Sequence, residues 1–539
     1  MKRLIFILLI LPVVNYGKII QFDYTGEIGI KWAEYENPLD KTETIIRSNG
    51  RADYDDHNGY IASDIKLGII SHISRMLNIG IELEKRDTLW ATHDNRYTPE
   101  KYQTLGNLFG AADPKKEDVW SGIKLTKAYV HIENVMDFID FKFGRQYMTG
   151  SKYPEDLERD LSLNSTLDAL RTDLKFNSFD IMAFFSKVND DAAQQYEVPL
   201  QWEAHNKYVP HHYENKDFNL YGIYFYFSRL NEYFEPRIYF LNGVLNDPNV
   251  TNPEGRILSN YDNKKIIGAR LKFYFFDSLL KFNTEFAYQY GKKYIGRYKY
   301  LDDETLTVKT GDFYNEAKHN AYIFDINTTF KTYASDKLFF NFIGEIVGGS
   351  GDDSKTPEED TGFMGFNDMF LGHKVSYDMR GWGAIVKANP YTPLIFAPDR
   401  ANFVNGSYLE DEIDKRTIDQ TYSIFPAQIL HLGLEAGIDG DSLLKGLILG
   451  LYYYNFRNLS KDGAVYLDEN NIKRRTYDIG NEIDFKISYE LANKNINFSL
   501  IYGIFFPGDA YKWGKDLQSG NIIGNDNVSM FLFETKMFF

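Results

Sequence analysis

The chain has 539 residues, with 60 basic and 76 acidic side chains, no cysteine, 40 tyrosines and 41 phenylalanines. A formal charge of −16 excludes a general phosphate-neutralising surface for nucleic acid, and the lack of cysteine excludes a disulfide framework, a thiolate metal site and a cysteine nucleophile. An aromatic-rich chain that is polar on average, with a mean hydropathy of −0.40, suits a membrane barrel with aromatic girdles and a wet interior.

Lys2 and Arg3 precede an apolar run over residues 4–14, and Asn15 then leads into Tyr16, Gly17 and Lys18. This reads as a secretory signal over residues 1–17, leaving 18–539 as the mature chain. Loss of Lys2 and Arg3 takes the charge from −16 to −18. The run falls short of the about 20 apolar residues that a spanning helix needs. No later stretch approaches one, so this chain enters a membrane as strands or not at all.

Segments with two-residue alternation follow at about 21–32, 59–71, 76–86, 122–133, 137–147 and 167–176. They continue at about 178–189, 217–228, 234–244, 264–276, 279–290 and 319–332. The last six lie at about 338–347, 428–438, 444–456, 475–489, 495–506 and 528–539. One face is apolar: Phe22, Tyr24, Ile28 and Ile30 in the first segment, then Tyr221, Ile223, Phe225 and Phe227, then Leu271 and Phe273. The other face carries charge, as where Glu482, Asp484 and Lys486 alternate with Ile483, Phe485 and Ile487. A strand of this kind separates lipid from a wet lumen.

Connections alternate short and long. Short ones fall at Arg75, Asn177, Asp277 and 491–494, and long ones at 33–58, 87–121, 190–216, 245–263, 291–318, 457–474 and 507–527. Short periplasmic turns and long extracellular loops are the rhythm of an outer-membrane barrel. The predicted fold is therefore all-β: a closed antiparallel transmembrane β-barrel of about 18 strands with both ends on the periplasmic side. The longest connection, 348–427, holds segments 381–387 and 401–408 that could add a hairpin, so 20 strands is the alternative. The chain ends on Phe531, Phe533, Thr535, Met537 and Phe539 in one phase, resembling the signal read by the barrel-assembly machinery.

Functional side chains in such a fold are the inward alternates. They include Asp140 and Lys142, then Arg171, Asp173 and Lys175, then Arg270 and Lys272, then Glu285. Fixed charges lining a pore set which solutes pass, unless they pair with one another and only wet the interior. Gly348 to Gly351 lacks hydrolase spacing, and His205, His211 and His212 share one loop without a third ligand type. No catalytic residue, metal or cofactor is expected. Acidic runs at Asp352-Asp353 and Glu358-Glu-Asp360 read as solvated loop carboxylates.

Phe143-Gly-Arg-Gln146 closes one strand, and Leu167-Asp-Ala-Leu-Arg-Thr-Asp173 opens the next. These motifs resemble the alginate-export family of outer-membrane barrels, in which a Gly-Arg-Gln strand end precedes an Asp-Gly-Val-Arg-like strand start. Ala169 stands where glycine is usual. Phe366-Asn-Asp-Met-Phe-Leu-Gly-His373, with Asp378 and Trp382, resembles the family's later segment, without its proline and glycine. The resemblance implies an arginine-lined constriction passing an anionic polysaccharide, with Arg145 and Arg171 as the matching arginines. Regular alternation puts Arg145 in phase with Phe141 and Phe143, and a bulge at Gly144 would turn it inward.

The expected function is a porin-like channel for anionic saccharides or small anionic solutes. Alternatives are a barrel enzyme acting on lipid or glycan, and an adhesin or receptor working through long loops. Outer-membrane lipid and lipopolysaccharide, the assembly machinery and the solute are the expected partners. Deleting Phe539 should lower outer-membrane yield more than it lowers the stability of the assembled barrel, and a normal yield would contradict the terminal signal.

Overall fold

A strand in hydrocarbon has no water to satisfy its backbone groups, so every edge must pair and the sheet must close. The computed structural model describes residues 21–36, 57–92, 124–149, 162–189, 217–227, 233–251, 257–293, 296–306, 308–314, 316–351, 355–356, 358–363, 365–367, 427–439, 444–458, 461, 463–470, 472–491, 495–509 and 527–539. Among these residues, 18 long strands form one closed antiparallel barrel.

The first six are β1 (Gln21–Glu36), β2 (His57–His72), β3 (Leu77–Thr92), β4 (Lys124–Val135), β5 (Ile139–Thr149) and β6 (Leu163–Lys175). Next come β7 (Asp180–Asn189), β8 (Asp217–Tyr226), β9 (Phe234–Thr251), β10 (Ile257–Phe275), β11 (Leu280–Lys293) and β12 (Ala317–Tyr333). The ring ends with β13 (Leu338–Gly349), β14 (Ala427–Ile438), β15 (Leu447–Asn458), β16 (Asp478–Leu491), β17 (Ile496–Pro507) and β18 (Val528–Phe538).

Each strand pairs with its neighbour in sequence, and β18 closes on β1 in a register running from Glu27↔Phe538 to Glu36↔Ser529. Phe539 completes the seam. Gly26 N donates to Phe539 O at 2.7 Å, and Phe539 N donates to Gly26 O at 3.0 Å. A β-carbon on Gly26 would lie 2.2 Å from the Phe539 ring, so glycine is what lets the terminal ring lie against the outer face of β1.

The outer face is apolar across strands. Leu434, Leu451, Phe485 and Tyr502 stand in register on β14 to β17, and all four are exposed. Phe22, Tyr24, Ile28, Ile30 and Tyr221 are likewise exposed, as the alternation predicts. Around the short-turn rim Phe138, Phe176, Phe179 and Phe227 follow one another at ring separations of 6.2, 4.8 and 6.0 Å. Such a rim of rings suits a headgroup boundary. No helix among the described residues is long and apolar enough to cross a membrane. A sheet with this outer surface belongs in hydrocarbon, where the effect of exposed apolar side chains reverses sign.

Three expected loops hold more structure than the sequence showed. Pairing of β9 with β10 continues through Asn246↔Tyr261 and Leu258↔Val250, so most of 245–263 is strand. Connection 291–318 contains a hairpin of Gly296–Leu301 with Val308–Tyr314, and 457–474 contains Ala464–Leu467 paired with Lys473–Thr476. Beyond the bilayer both faces of a ribbon are wet, so hydrogen bonding persists while the hydrophobic alternation that marks a strand is lost. Residues 1–20, with the expected signal, and segments 381–387 and 401–408 lie outside the described residues.

Depth decides what a charge on the outer face costs. Leu451 is the fifth residue of β15, well inside the wall, whereas Phe225 is next to the last residue of β8, at the short-turn rim. Leu451→Arg should destabilise the folded barrel by about 2–4 kcal/mol and Phe225→Arg by only about 0–1 kcal/mol. Denaturant titration of the folded fraction in lipid vesicles measures both, and equal costs would contradict the assigned depths.

Candidate functional site: the barrel interior

Inward residues form two zones. Towards the long-loop end much of the wall is apolar and closed to solvent, with Leu220, Leu241, Ile266, Val347, Phe505 and Met530 all fully buried, and Lys264, Gln289 and His319 are buried at that end as well. Nearer the short turns β5, β6, β10 and β11 present charged groups.

On β5 and β6 the register sets Asp140 opposite Asp173 and Lys142 opposite Arg171. Lys175 Nζ lies 2.6 Å from Asp140 Oδ2, and the Asn134 amide donates to Asp140 Oδ1 at 2.8 Å. Arg171 grips Asp173 with Nε at 2.8 Å and Nη2 at 2.9 Å, so its charge is already matched. Lys142 differs. Its ammonium sits 3.8 Å from the Tyr129 ring centre, and no described carboxylate lies within ion-pair distance of it.

Arg270 and Glu285 face the interior on β10 and β11, four to five strands away. Arg270 is buried, donates from Nε to Asn283 Oδ1 at 3.0 Å and lies 4.0 Å from Glu285, which also accepts from Tyr239 Oη at 2.7 Å. Lys272 stands 4.0 Å from Glu235. The predicted charges therefore make two separate clusters, and the arginines form no single ring.

Arg145 does not join either cluster. Gly144 has a positive φ of 109°, yet the register runs Tyr129↔Gly144 and Ala128↔Arg145 with no extra residue opposite. Without an inserted residue the phase is kept, and Arg145 stays on the outer face with Phe143 and Leu170. There its Nη2 pairs with Asp168 Oδ2 at 2.7 Å, near the long-loop end of the strand.

Several interior residues went unsingled in the sequence. On β13 to β16, His431 Nδ1 is 2.9 Å from Glu345 Oε2, and its ring stacks on Tyr454 at 4.4 Å. Glu435 accepts from Tyr452 Oη at 2.6 Å and from Asn341 Nδ2 at 2.8 Å. Glu482 and Asp484, which the alternation does mark as facing away from Ile483 and Phe485, are buried on the same wall. Inward phasing of His431, Gly433, Glu435 and Gly437 against Leu432 and Leu434 was the available signal. Among the described residues no group of three or more His, Asp or Glu side chains is arranged to hold a metal.

The stretch after β13 is the least expected feature. Glu359 and Asp360 pair in parallel with Lys318 and His319 of β12, and Phe366 and Asn367 pair in parallel with Leu163 and Asn164 of β6. Those two strands lie six apart in the ring, so this stretch runs as a chord inside the barrel. Phe363 and Phe366 are buried in the apolar zone, and Lys264 Nζ of β10 lies 4.8 Å from the Phe366 ring. Asp360, expected as a solvated carboxylate, is 2.7 Å from Lys293 and 2.9 Å from His319, whose Nε2 reaches Asp262 at 2.8 Å. Farther out, Asp303 of the hairpin loop bonds both Lys355 and Arg475.

Burial opposes ionisation of Asp360, but the charge of Lys293 and the His319 and Lys293 hydrogen bonds outweigh it and hold the carboxyl well below the usual range.

No family model matches the chain, and no curated protein does. Among solved structures, Pseudomonas aeruginosa OccK8 (OprE) is similar at 9% identity over 96% of this chain and 98% of that one, with a TM-score of 0.45. Pseudomonas aeruginosa OpdK with vanillate is similar at 9% identity over 96% and 98%, TM-score 0.43. Acinetobacter baumannii OccAB2 is similar at 12% identity over 96% and 98%, TM-score 0.41. These likenesses are too weak to bear on what this chain carries.

A carboxyl with a depressed pKa stabilises its surroundings above its unfolded value and loses that effect as pH falls through its folded value. The chord should therefore stay clamped between neutral pH and about pH 4, the ordinary carboxylate value. Asp360→Asn should release it at neutral pH, seen as faster hydrogen exchange at the Phe366 amide, which donates to Ser162 O. Unchanged exchange would show that the clamp does not hold the chord.

Proposed function

We propose that this protein is a bacterial outer-membrane channel through which small hydrophilic solutes pass passively along the barrel interior. Export by residues 1–17 and assembly through the Phe539 strand belong to the same reading. The observation that carries it is the ionised inner wall. Asp140, Lys142, Arg171 and Lys175 on one side, and Glu435 and Asp484 on another, face inward at strand positions whose outward neighbours are lipid-facing. Charges in such a place demand water or a polar solute, since burying them in a dry interior costs several kcal/mol each.

The alginate-export motifs support an anionic saccharide as cargo, and the ion pairs refine that reading. With Arg171 held by Asp173 and Arg270 beside Glu285 and Asn283, most cationic charge is already matched. A short solute with one anionic group suits an inner wall whose arginines are matched in this way better than a polyanion does. The chord from β12 to β6 narrows the interior and limits solute size.

Refolded protein in planar bilayers should carry a steady current, and absence of any current would reject the channel. Arg171→Ala leaves Asp173 without its guanidinium, so the reversal potential in a salt gradient should move towards cation selectivity. An unchanged potential would mean that this pair lies off the solute path.

A further inference from the structure

We propose that the outer wall of β9 to β12, at its long-loop edge, holds the phosphate of an outer-leaflet lipid headgroup on Lys265. The site lies outside the lumen and is independent of what passes through it. Strand register lays the outward residues of this wall in rows. Phe240, Ile267, Tyr288 and Tyr322 stand side by side across the four strands. One row nearer the long loops come Asn242, Lys265, Tyr290 and Asn320, and after them Val244, Asn263, Lys292 and Lys318. The chain neighbours Leu241, Ile266, Gln289 and Ala321 are buried on the inner face, which fixes the outward phase of the Lys265 row.

Apolar and aromatic side chains thus give way to polar ones between two successive rows, and Lys265 stands on that boundary. From Phe273, which stacks on Phe234 near the short turns, β10 rises about 20 Å to Lys265, most of the about 25 Å that an apolar band covers. Lys265 is half-buried, its ammonium lies 5.9 Å from the Tyr290 ring centre, and no described carboxylate is within ion-pair distance of it. Its row neighbours are neutral. Asn320 is exposed and accepts from Tyr288 Oη at 2.9 Å, which leaves its amide nitrogen to donate.

Farther out, Glu316 matches Lys292 at 2.7 Å and Glu359 stands beside Lys318 in register. The patch as a whole therefore carries little excess charge, and the site rests on Lys265 and the neutral donors of its row. Elsewhere the outward polar groups near the long loops satisfy one another: Arg145 pairs with Asp168, and Asn481 accepts from Tyr453 and Asn455.

An ammonium at the edge of hydrocarbon is costly unless a counter-charge meets it, and its flexible stem carries it up to headgroup level. A lipid phosphate brings that charge with several acceptor oxygens, so it can take Lys265 and the Asn320 amide together. Two strands, about 10 Å, separate the two backbones. The lysine stem and a phosphate between two hydrogen bonds cover that gap, while the acyl chains lie on Phe240, Ile267 and Tyr322.

Native mass spectrometry of the folded barrel tests this with bisphosphorylated lipid A and with the same lipid stripped of its phosphates. The phosphorylated lipid should be retained more strongly, and Lys265→Met should lower its apparent affinity about fivefold, one lysine's share at an anionic lipid surface. Asn320→Ala should lower it as well, and Lys265→Arg should keep it. Arg145→Ala, whose guanidinium Asp168 already matches, should leave it unchanged. Each variant is first confirmed as folded barrel, and the stripped lipid and Asn320→Ala carry the test if Lys265→Met does not fold. Equal retention of the two lipids, or an affinity that neither Lys265→Met nor Asn320→Ala lowers, would overturn the proposal. Displacement of the lipid by an equal concentration of inorganic phosphate would overturn it too, since the site would then take any phosphate and hold no lipid.

Discussion

The antiparallel hydrogen bonds between β1 and β18 turn a long meander into a sealed wall. In hydrocarbon an unpaired backbone group costs several kcal/mol, and an open edge would expose a whole row of them. Closure also fixes phase. Once β1 and β18 meet in register, each strand must present one alternate set to lipid and the other to the lumen, because a one-residue slip would exchange the two. The placement of Phe539 over Gly26, with both backbone bonds made, locks that phase at the last residue of the chain.

From the fixed phase follows the character of the interior. Charges enter it wherever the sequence puts one on an inward alternate, and most find partners on the next strand or two residues along. Lys175 with Asp140 and Arg171 with Asp173 are such local solutions. Pairing keeps the lumen wet at modest energetic cost, and only the unmatched groups project a field. The chord adds a second layer: it seats Phe363 and Phe366 in the apolar zone near the long loops and leaves the ionised zone below it.

The barrel was legible because two solvents impose two-residue alternation on every membrane-crossing strand. Ile483 and Phe485 against Glu482 and Asp484 state it in a few residues, and the structure places them on opposite faces. Inward directions of Asp140, Arg171, Arg270 and Glu285 follow from the same rule. What failed was anything set by non-local contacts. Gly144 has the backbone of a bulge residue without a bulge, and only the partner strand reveals that Arg145 keeps its outward phase. Asp360 reads as a solvated acid until His319 and Lys293, from other strands, are seen beside it. The extended β9–β10 ribbon was hidden because no hydrophobic alternation is required above the bilayer.

Two-faced alternation across a sealed wall is the central claim, and the absence of cysteine makes it directly measurable. Spin labels on single cysteines at Glu482, Ile483, Asp484 and Phe485 in vesicle-embedded protein would report access to oxygen, which concentrates in lipid, and to a water-soluble nickel complex. Labels at 483 and 485 should be accessible to oxygen and hidden from nickel, with 482 and 484 out of phase. Matching accessibility at all four positions, or the reverse phase, would contradict the account.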